Sequence, residues 1–292
     1  MFKVAILGCE NSHADGFLNS IKTIERFSDV EVIGVYSEES EAAQKLNNEY
    51  GVNIMEHYAD LAGKVDGVMV TARHGGKHLE YIKPYIESGV PVFMDKPITI
   101  DIDEAVVMMR EFEKNGVRYT GGSSLRYCEL VKRLKGDVME EKGGKTVGGV
   151  VRAPIHEHSE YGGFYFYAQH LVEIVCEIFG SFPEKVRTSR TANGLTVIIS
   201  YADYDVVGYY MEDITDYFAG RMFEEGNTAE NIIVDSECFI EEFEHFHELL
   251  HGGKTRIDKK MFIAPVFIMN AIMVSLESGK EETICWERIK EI

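Results

Sequence analysis

Cysteine is scarce in this chain and its spacing pairs nothing. The 292 residues hold five (Cys9, Cys128, Cys176, Cys238 and Cys285), an odd number with no C-x-x-C pair. That argues against a disulfide frame or a cysteine zinc site, and suits reduced thiols in a cytoplasmic protein. Positive charge is short as well: 30 Lys and Arg stand against 49 Asp and Glu, a net charge of -19. So acidic a surface repels nucleic acid and anionic membranes, so neither is expected as a partner, and a small-molecule substrate is. An anionic cofactor is still compatible with it, because a helix N-terminus binds phosphate inside a negative field. No apolar run approaches the roughly 20 residues of a membrane span. Residues 1–7 are too short and strand-like for a signal peptide. There is no internal repeat and no low-complexity linker.

What is present is an alternation. Residues 4–7, 30–36, 67–71, 92–94 and 117–121 read as unbroken apolar strands, with helices expected over 12–27, 39–50, 77–88 and 102–115. Continuous apolar strands between helices imply a parallel sheet covered on both faces, hence a Rossmann-like doubly wound domain over residues 1–122. After Gly122 the rhythm changes. A helix is expected near 125–135, a strand at 148–155, a long apolar helix at 164–179, and strands at 185–191, 195–201, 206–212 and 232–234. Helices resume at 241–251 and 259–278. Clustered strands flanked by helices describe an α+β domain on a largely antiparallel open sheet, over residues 123–292.

The tripeptide Asp95-Lys96-Pro97 directly follows the strand at 92–94. Ligands of open α/β sheets bind beyond the carboxyl ends of the strands, so Lys96 is placed to hold a hydroxyl or stabilise an oxyanion there. At the first strand-to-helix turn, Gly8-Cys9-Glu10-Asn11-Ser12-His13 keeps only the first glycine of G-x-G-x-x-G. Glu10 takes the second position and His13 the third. Asn11 or Ser12 can still cap the helix and leave N–H groups for a phosphate. Ser37 ends the second strand, where it can bond a ribose or cap the next helix. Glu38 beside it would repel a 2′-phosphate and no arginine is adjacent, which favours NAD over NADP.

The ordered set Gly8, Thr71, His78, Asp95-Lys96-Pro97, Ser124-Leu125-Arg126-Tyr127 and Gly162-Gly163…His170 resembles the glucose–fructose oxidoreductase / inositol dehydrogenase (Gfo/Idh/MocA) family. The resemblance covers nearly the whole chain and is most specific from His78 to Pro97. It implies NAD(P)-dependent hydride transfer to or from a sugar, polyol or cyclitol. It also implies a second domain whose sheet packs against another subunit in a homo-oligomer. Cofactor contacts are then expected at Gly8, Glu10, Asn11, Ser12, Ser37, Thr71, Ala72, His78, Asp95 and Lys96. Lys96 and His170 are the implied catalytic pair.

The chain departs from the pattern where the family has an aspartate four residues before the histidine: Phe166 stands there. Phenylalanine neither accepts a proton nor holds an imidazole by charge. With the glycine fingerprint also incomplete, the alternative is a non-catalytic or repurposed member, a ligand-binding protein or a lyase or hydrolase. His156 and His158 alternate on what reads as a strand and, with His170, could form a relay or a metal site, or simply face solvent. Arg126, Tyr127, His156, His158 and Tyr167 are the candidate substrate contacts. The register His247-Glu248-Leu249-Leu250-His251 matches the H-E-x-x-H of zinc peptidases. That assignment is rejected, since the resemblance already accounts for the chain, and no metal is expected.

Overall fold

The computed structural model describes residues 1–292, Glu291 by its backbone alone. In chain order the elements are β1 (Phe2–Leu7), α1 (Ser12–Thr23), β2 (Val30–Tyr36), α2 (Ser40–Tyr50), β3 (Gly67–Val70), α3 (His78–Ile86), β4 (Val92–Asp95), α4 (Ile102–Asn115) and β5 (Tyr119–Gly122). Then come α5 (Glu129–Met139), β6 (Thr146–Pro154), α6 (Tyr165–Phe179), β7 (Lys185–Thr191), β8 (Gly194–Ser200), β9 (Asp205–Met211), β10 (Tyr217–Phe223), β11 (Gly226–Ile232), α7 (Ser236–Leu250), α8 (Lys259–Ser278) and β12 (Glu281–Thr283). They form two compact units. One comprises Met1–Thr99, Asp103–Gly122 and Phe239–Asp258, and the other comprises Ile100–Ile102, Ser123–Cys238 and Lys259–Ile292. The chain therefore crosses at 122/123 and returns to the first unit for residues 239–258.

The first unit is a parallel sheet in the order β2-β1-β3-β4-β5, the doubly wound arrangement that the alternation implied. Its inner strands β3 and β4 are buried throughout, which is why their sequences are apolar without alternation. Phe17 of α1 and Phe243, Phe246 and Leu250 of α7 share one apolar cluster with Val4, Ile6, Met69 and Phe93. Each such phenylalanine contributes about 1.5–3 kcal/mol by leaving water. Gly67 sets how close α7 comes: a Cβ there would lie 2.6 Å from Leu250 Cδ2. Helix α1 stops at Thr23, short of the expected residue 27, because Ile24 turns extended; residues 25–27 form one 3₁₀ turn instead.

The second unit carries a seven-stranded sheet in the order β11-β10-β6-β9-β8-β7-β12. Only β6 and β9 pair in parallel; the other neighbours are antiparallel. The hairpin β10–β11 was not expected from sequence, where a strand was placed only at 232–234. Strand β11, Gly-Asn-Thr-Ala-Glu-Asn-Ile, is an exposed edge with a burial pattern lacking alternation, so it carries no apolar period to read. Helix α6 is buried from Ala168 to Cys176 and again at Ile178 and Phe179. Helix α8 corrects the expectation about long apolar runs: by length and composition it could cross a membrane. Its charges, Lys259, Lys260 and Glu277, sit at the ends. Over half of its most apolar window, 56%, is buried inside the chain. Asn270 in its middle donates to Ile100 O and Val266 O.

Candidate active-site residues

In the first unit the central group is the Asp95 carboxylate, fully buried at the end of β4. Its Oδ2 accepts from Asn11 Nδ2 at 2.8 Å, and its Oδ1 accepts from the Lys96 N–H at 2.7 Å. His13 Nδ1 lies 2.7 Å from Oδ2, an ion-pair distance without hydrogen-bond geometry. Asn11 is the N-cap of α1, accepting from the His13 N–H. The third fingerprint position thus holds a side chain turned inward onto a carboxylate, in place of a glycine. The first position is a true glycine site: Gly8 has φ +79°, and a Cβ there would lie 2.3 Å from Ala72.

Glu10, at the second fingerprint position, is drawn to the strand ends. Its Oε2 accepts from Ser37 Oγ at 2.7 Å and its Oε1 from the Arg73 N–H at 3.0 Å. Ser37 also accepts from the Glu39 N–H, so it serves the turn into α2 as well as Glu10. Glu38 pairs with Lys77 at 2.9 Å. Ser12, the next residue of the turn, is exposed.

Three expected cofactor contacts are enclosed in protein. Thr71 is fully buried and donates to Gly8 O at 2.9 Å. Ala72 packs under Gly8. His78 is fully buried with Nε2 2.8 Å from Ala72 O and Nδ1 3.2 Å from Ile98 O. Burial drives the His78 pKa down, against the pull of those carbonyls and of Asp95. A neutral ring donates once, and the shorter contact marks Nε2 as the donor. These three hold the turns around the carboxyl ends of β1, β3 and β4 and present no surface to a ligand.

Lys96 is 5% exposed and joined to Pro97 by a cis peptide bond. Burial pushes its ammonium below the usual lysine range; Asp95 opposes this, Arg73 adds to it and Glu242 opposes it. Glu242 was missed from sequence. It is fully buried on α7, and the spacing of Phe239, Glu242, Phe243 and Phe246 puts an acid on the helix's apolar face, which was the available signal.

In the second unit, His170 on α6 is buried, and its Nδ1 lies 2.6 Å from Ser123 Oγ. Ser123 Oγ also accepts from the Leu125 N–H. The Ser123 N–H donates to Glu173 Oε2 at 2.7 Å, and Gln169 donates to Glu173 Oε1. Ser123 was not picked from sequence, although a serine directly after Gly122, ahead of the 3₁₀ turn at 124–127, is a capping signal. Phe166 lies among aromatic rings, 5.3 Å from Tyr161 and 4.9 Å from Tyr167. Tyr167 and Tyr217 set ring edges against His170 at 5.3 and 5.7 Å.

The other expected substrate residues fare unequally. Arg126 lies 3.8 Å from Glu173 and 3.5 Å from Glu177, which Lys135 also bonds at 2.6 Å. Burial opposes its charge, but Glu173 holds the guanidinium firmly protonated. Glu173 is pushed up by burial, with Arg126, the Ser123 N–H and Gln169 pulling back. Arg126 is therefore part of a buried ionic network. Tyr127 is buried at the same turn. His156 and His158 are exposed and lie past β6, which ends at Pro154, so strand alternation does not place them on one face. His156 pairs loosely with Glu212 at 3.8 Å and meets Tyr167 edge-on at 4.6 Å. His156, His158 and His170 do not assemble into a metal-ligand group among the described residues.

Residues 2–123 match the model of an oxidoreductase family, described as having an NAD-binding Rossmann fold. Among curated proteins, glucose-6-phosphate 3-dehydrogenase of Bacillus subtilis (strain 168) is 24% identical over 156 residues, 53% of this chain and 42% of that protein. The match thus spans less than half of that relative. Among solved structures, a putative myo-inositol dehydrogenase from Sinorhizobium meliloti 1021 superposes with a TM-score of 0.82 at 14% identity, over 98% of this chain and all of that one. The scyllo-inositol dehydrogenase of Lactobacillus casei, solved with NAD(H) and scyllo-inositol, superposes with a TM-score of 0.83 at 14% identity, over 97% and 99% of the two chains. These likenesses establish the two-part fold along the whole chain.

Proposed function

We propose that this chain is a divergent member of the glucose–fructose oxidoreductase / inositol dehydrogenase family, whose model its residues 2–123 match, and an NAD-dependent oxidoreductase of a sugar, polyol or cyclitol. The observation that carries the reading is Lys96: a nearly buried ammonium held at the carboxyl end of β4, beside Asp95, with its pKa lowered by burial. An ammonium so placed is a strong donor to an oxygen that gains negative charge. The relatives that carry this fold act, by their names, on inositols and on glucose 6-phosphate.

The first unit's donors fit a dinucleotide. The N-terminus of α1 offers its dipole to a pyrophosphate. Glu10 is tied sideways by Ser37 and Arg73, away from the role of a bare backbone. Each carboxylate oxygen has a second lone pair for a ribose hydroxyl. Glu10 and Glu38 together disfavour a 2′-phosphate, which supports NAD over NADP. Nicotinamide supplies hydride acceptance or donation when bound. Lys96 holds and polarises the substrate oxygen. His170, held at Nδ1 by Ser123, moves the proton. The exposed sheet face bearing Tyr209 and Met222 supports a homo-oligomer formed through that sheet, checked by light scattering after gel filtration.

The test is turnover of NAD and NADP against a panel of inositols, hexoses and hexose phosphates. NAD-linked oxidation of at least one is expected. Full inactivity across the panel, with no cofactor binding, would sink the reading.

A further inference from the structure

The histidine pair of α7 is not used by the proposed chemistry, yet it converges on one point. His247 Nε2 lies 2.7 Å from Asp29 Oδ1, and His251 Nε2 lies 2.8 Å from Asp29 Oδ2. The two Nε2 atoms are 3.3 Å apart. All three residues belong to the first unit. We propose that Asp29, His247 and His251 bind one divalent transition-metal ion, with zinc the expected occupant, through two imidazole nitrogens and one carboxylate oxygen.

Three features carry this. The first is proton bookkeeping. A carboxylate only accepts hydrogen bonds, so each Nε2 that bonds Asp29 must donate. Two donating nitrogens 3.3 Å apart then aim their hydrogens at the same space, which is unfavourable. A single cation replacing both protons removes the conflict. The second is distance. Zinc–nitrogen bonds of about 2.05 Å at tetrahedral angles put neighbouring ligand atoms about 3.3 Å apart. The nitrogen pair already has that spacing, and the Asp29 oxygens need to withdraw by about half an ångström to reach it. The third is fixed rings. Phe27 stands edge-on to His247 at 5.2 Å, and Phe2 to His251 at 4.8 Å. The Asp29 carbonyl accepts from the Phe2 N–H, tying the Asp29 backbone to β1. Two imidazoles and a carboxylate suit zinc, copper or nickel and are a poor set for magnesium or calcium.

The site is not a peptidase centre. Glu248, the acid of the H-E-x-x-H register, pairs with Arg256 at 2.5 Å. Asp29 precedes β2, so the cluster lies at the amino ends of the strands. The nucleotide-binding turns lie at their carboxyl ends. The role that follows is a staple: the ion ties the last turn of α7 to the loop entering β2, securing the returning segment 239–258. It departs from the expectation that the chain holds no metal, and it is independent of the proposed oxidoreductase activity.

The test uses full-length protein freed of metal by chelator and titrated with zinc at pH 7.5 by calorimetry, with thermal unfolding in parallel. One zinc per chain is expected, with a rise in Tm of about 5 °C at saturation. His251→Gln and Asp29→Asn should each weaken binding about 100-fold, and Cys285→Ser should leave it unchanged. His251 is the half-exposed ligand, so its variant should fold; its circular dichroism and chelated Tm check that. Substituted cobalt should give d–d absorption without a thiolate charge-transfer band. Absence of stoichiometric zinc, equal affinity in wild type and His251→Gln, or a thiolate band would each overturn the proposal.

Discussion

The two units depart in different ways from the pattern of the family they resemble, and only one departure is repaired. In the first unit, two fingerprint glycines are replaced by Glu10 and His13. Both replacements are tied down: Glu10 by Ser37 and Arg73, His13 against Asp95. In the second unit, Phe166 stands where the resemblance would place an aspartate. The group beside His170 Nδ1 is a neutral hydroxyl, Ser123 Oγ, at 2.6 Å. A side chain that replaces glycine needs only somewhere to go. A side chain that replaces a carboxylate must supply charge, and a hydroxyl orients an imidazole without stabilising imidazolium. On the proposed reading the first unit keeps donors for a dinucleotide, while the second holds its histidine in place without a carboxylate beside it.

The largest effect should come from Lys96, which the contrast leaves as the main source of charge stabilisation. Lys96→Ala should lower kcat/KM about 1000-fold with the fold retained. On the proposed reading its ammonium is the active form, and burial lowers its pKa. Activity is thus present below that pKa and lost above it, with the alkaline limb falling below the ordinary lysine range near 10.5. In Lys96→Arg the limb should vanish from the residual activity, as pH–rate profiles would show. A limb unchanged in that variant would assign it to another group.

Next in size are the buried carboxylates, Asp95 in one unit and Glu173 in the other. Asp95→Ala strands Asn11 and His13, and Glu173→Ala strands the Ser123 N–H and the Arg126 guanidinium. Each should cost about 3 kcal/mol in chemical denaturation. Glu173→Ala should cost the more, because the buried Arg126 guanidinium stays charged, whereas the Lys96 ammonium beside Asp95 can shed its proton. The reverse order would mean that Arg126 rests mainly on Glu177.

Smaller again is Ser123→Ala. If the hydroxyl only orients His170, kcat should fall about 10-fold with KM little changed. Ser123→Asp, which restores a charge beside the ring, sharpens the same comparison, since recovery of kcat above wild type would show that charge was the missing element. The least effect is expected from thiol chemistry. Cys285 is exposed and the other four cysteines are buried, with Cys9 pushed up to about 12 chiefly by burial. One thiol should react quickly and the rest only on unfolding.

Much of this was legible because it is periodic or punctuated. The apolar runs at β1, β3 and β4 and the strand-end position of Asp95-Lys96-Pro97 announce the first sheet, and α4 and α8 match their expected bounds. What escaped was long-range. Nothing near Glu242 says that it lies within reach of Lys96's charge, since 146 residues separate them in sequence. Asp29, His247 and His251 meet only because α7 returns to the first sheet. His156 and His158 misled because their alternation lies beyond Pro154, where the strand has ended. Strand β11 hid because an exposed edge needs no apolar face.

The central claim is that the first unit, fingerprint losses notwithstanding, binds NAD. Calorimetric titration of the purified protein with NAD and with NADP tests it most directly. The account predicts a one-to-one complex with NAD, NADP at least ten-fold weaker, and NADP gaining ground when Glu38 becomes Gln. Heat changes no greater than dilution for either dinucleotide would contradict it.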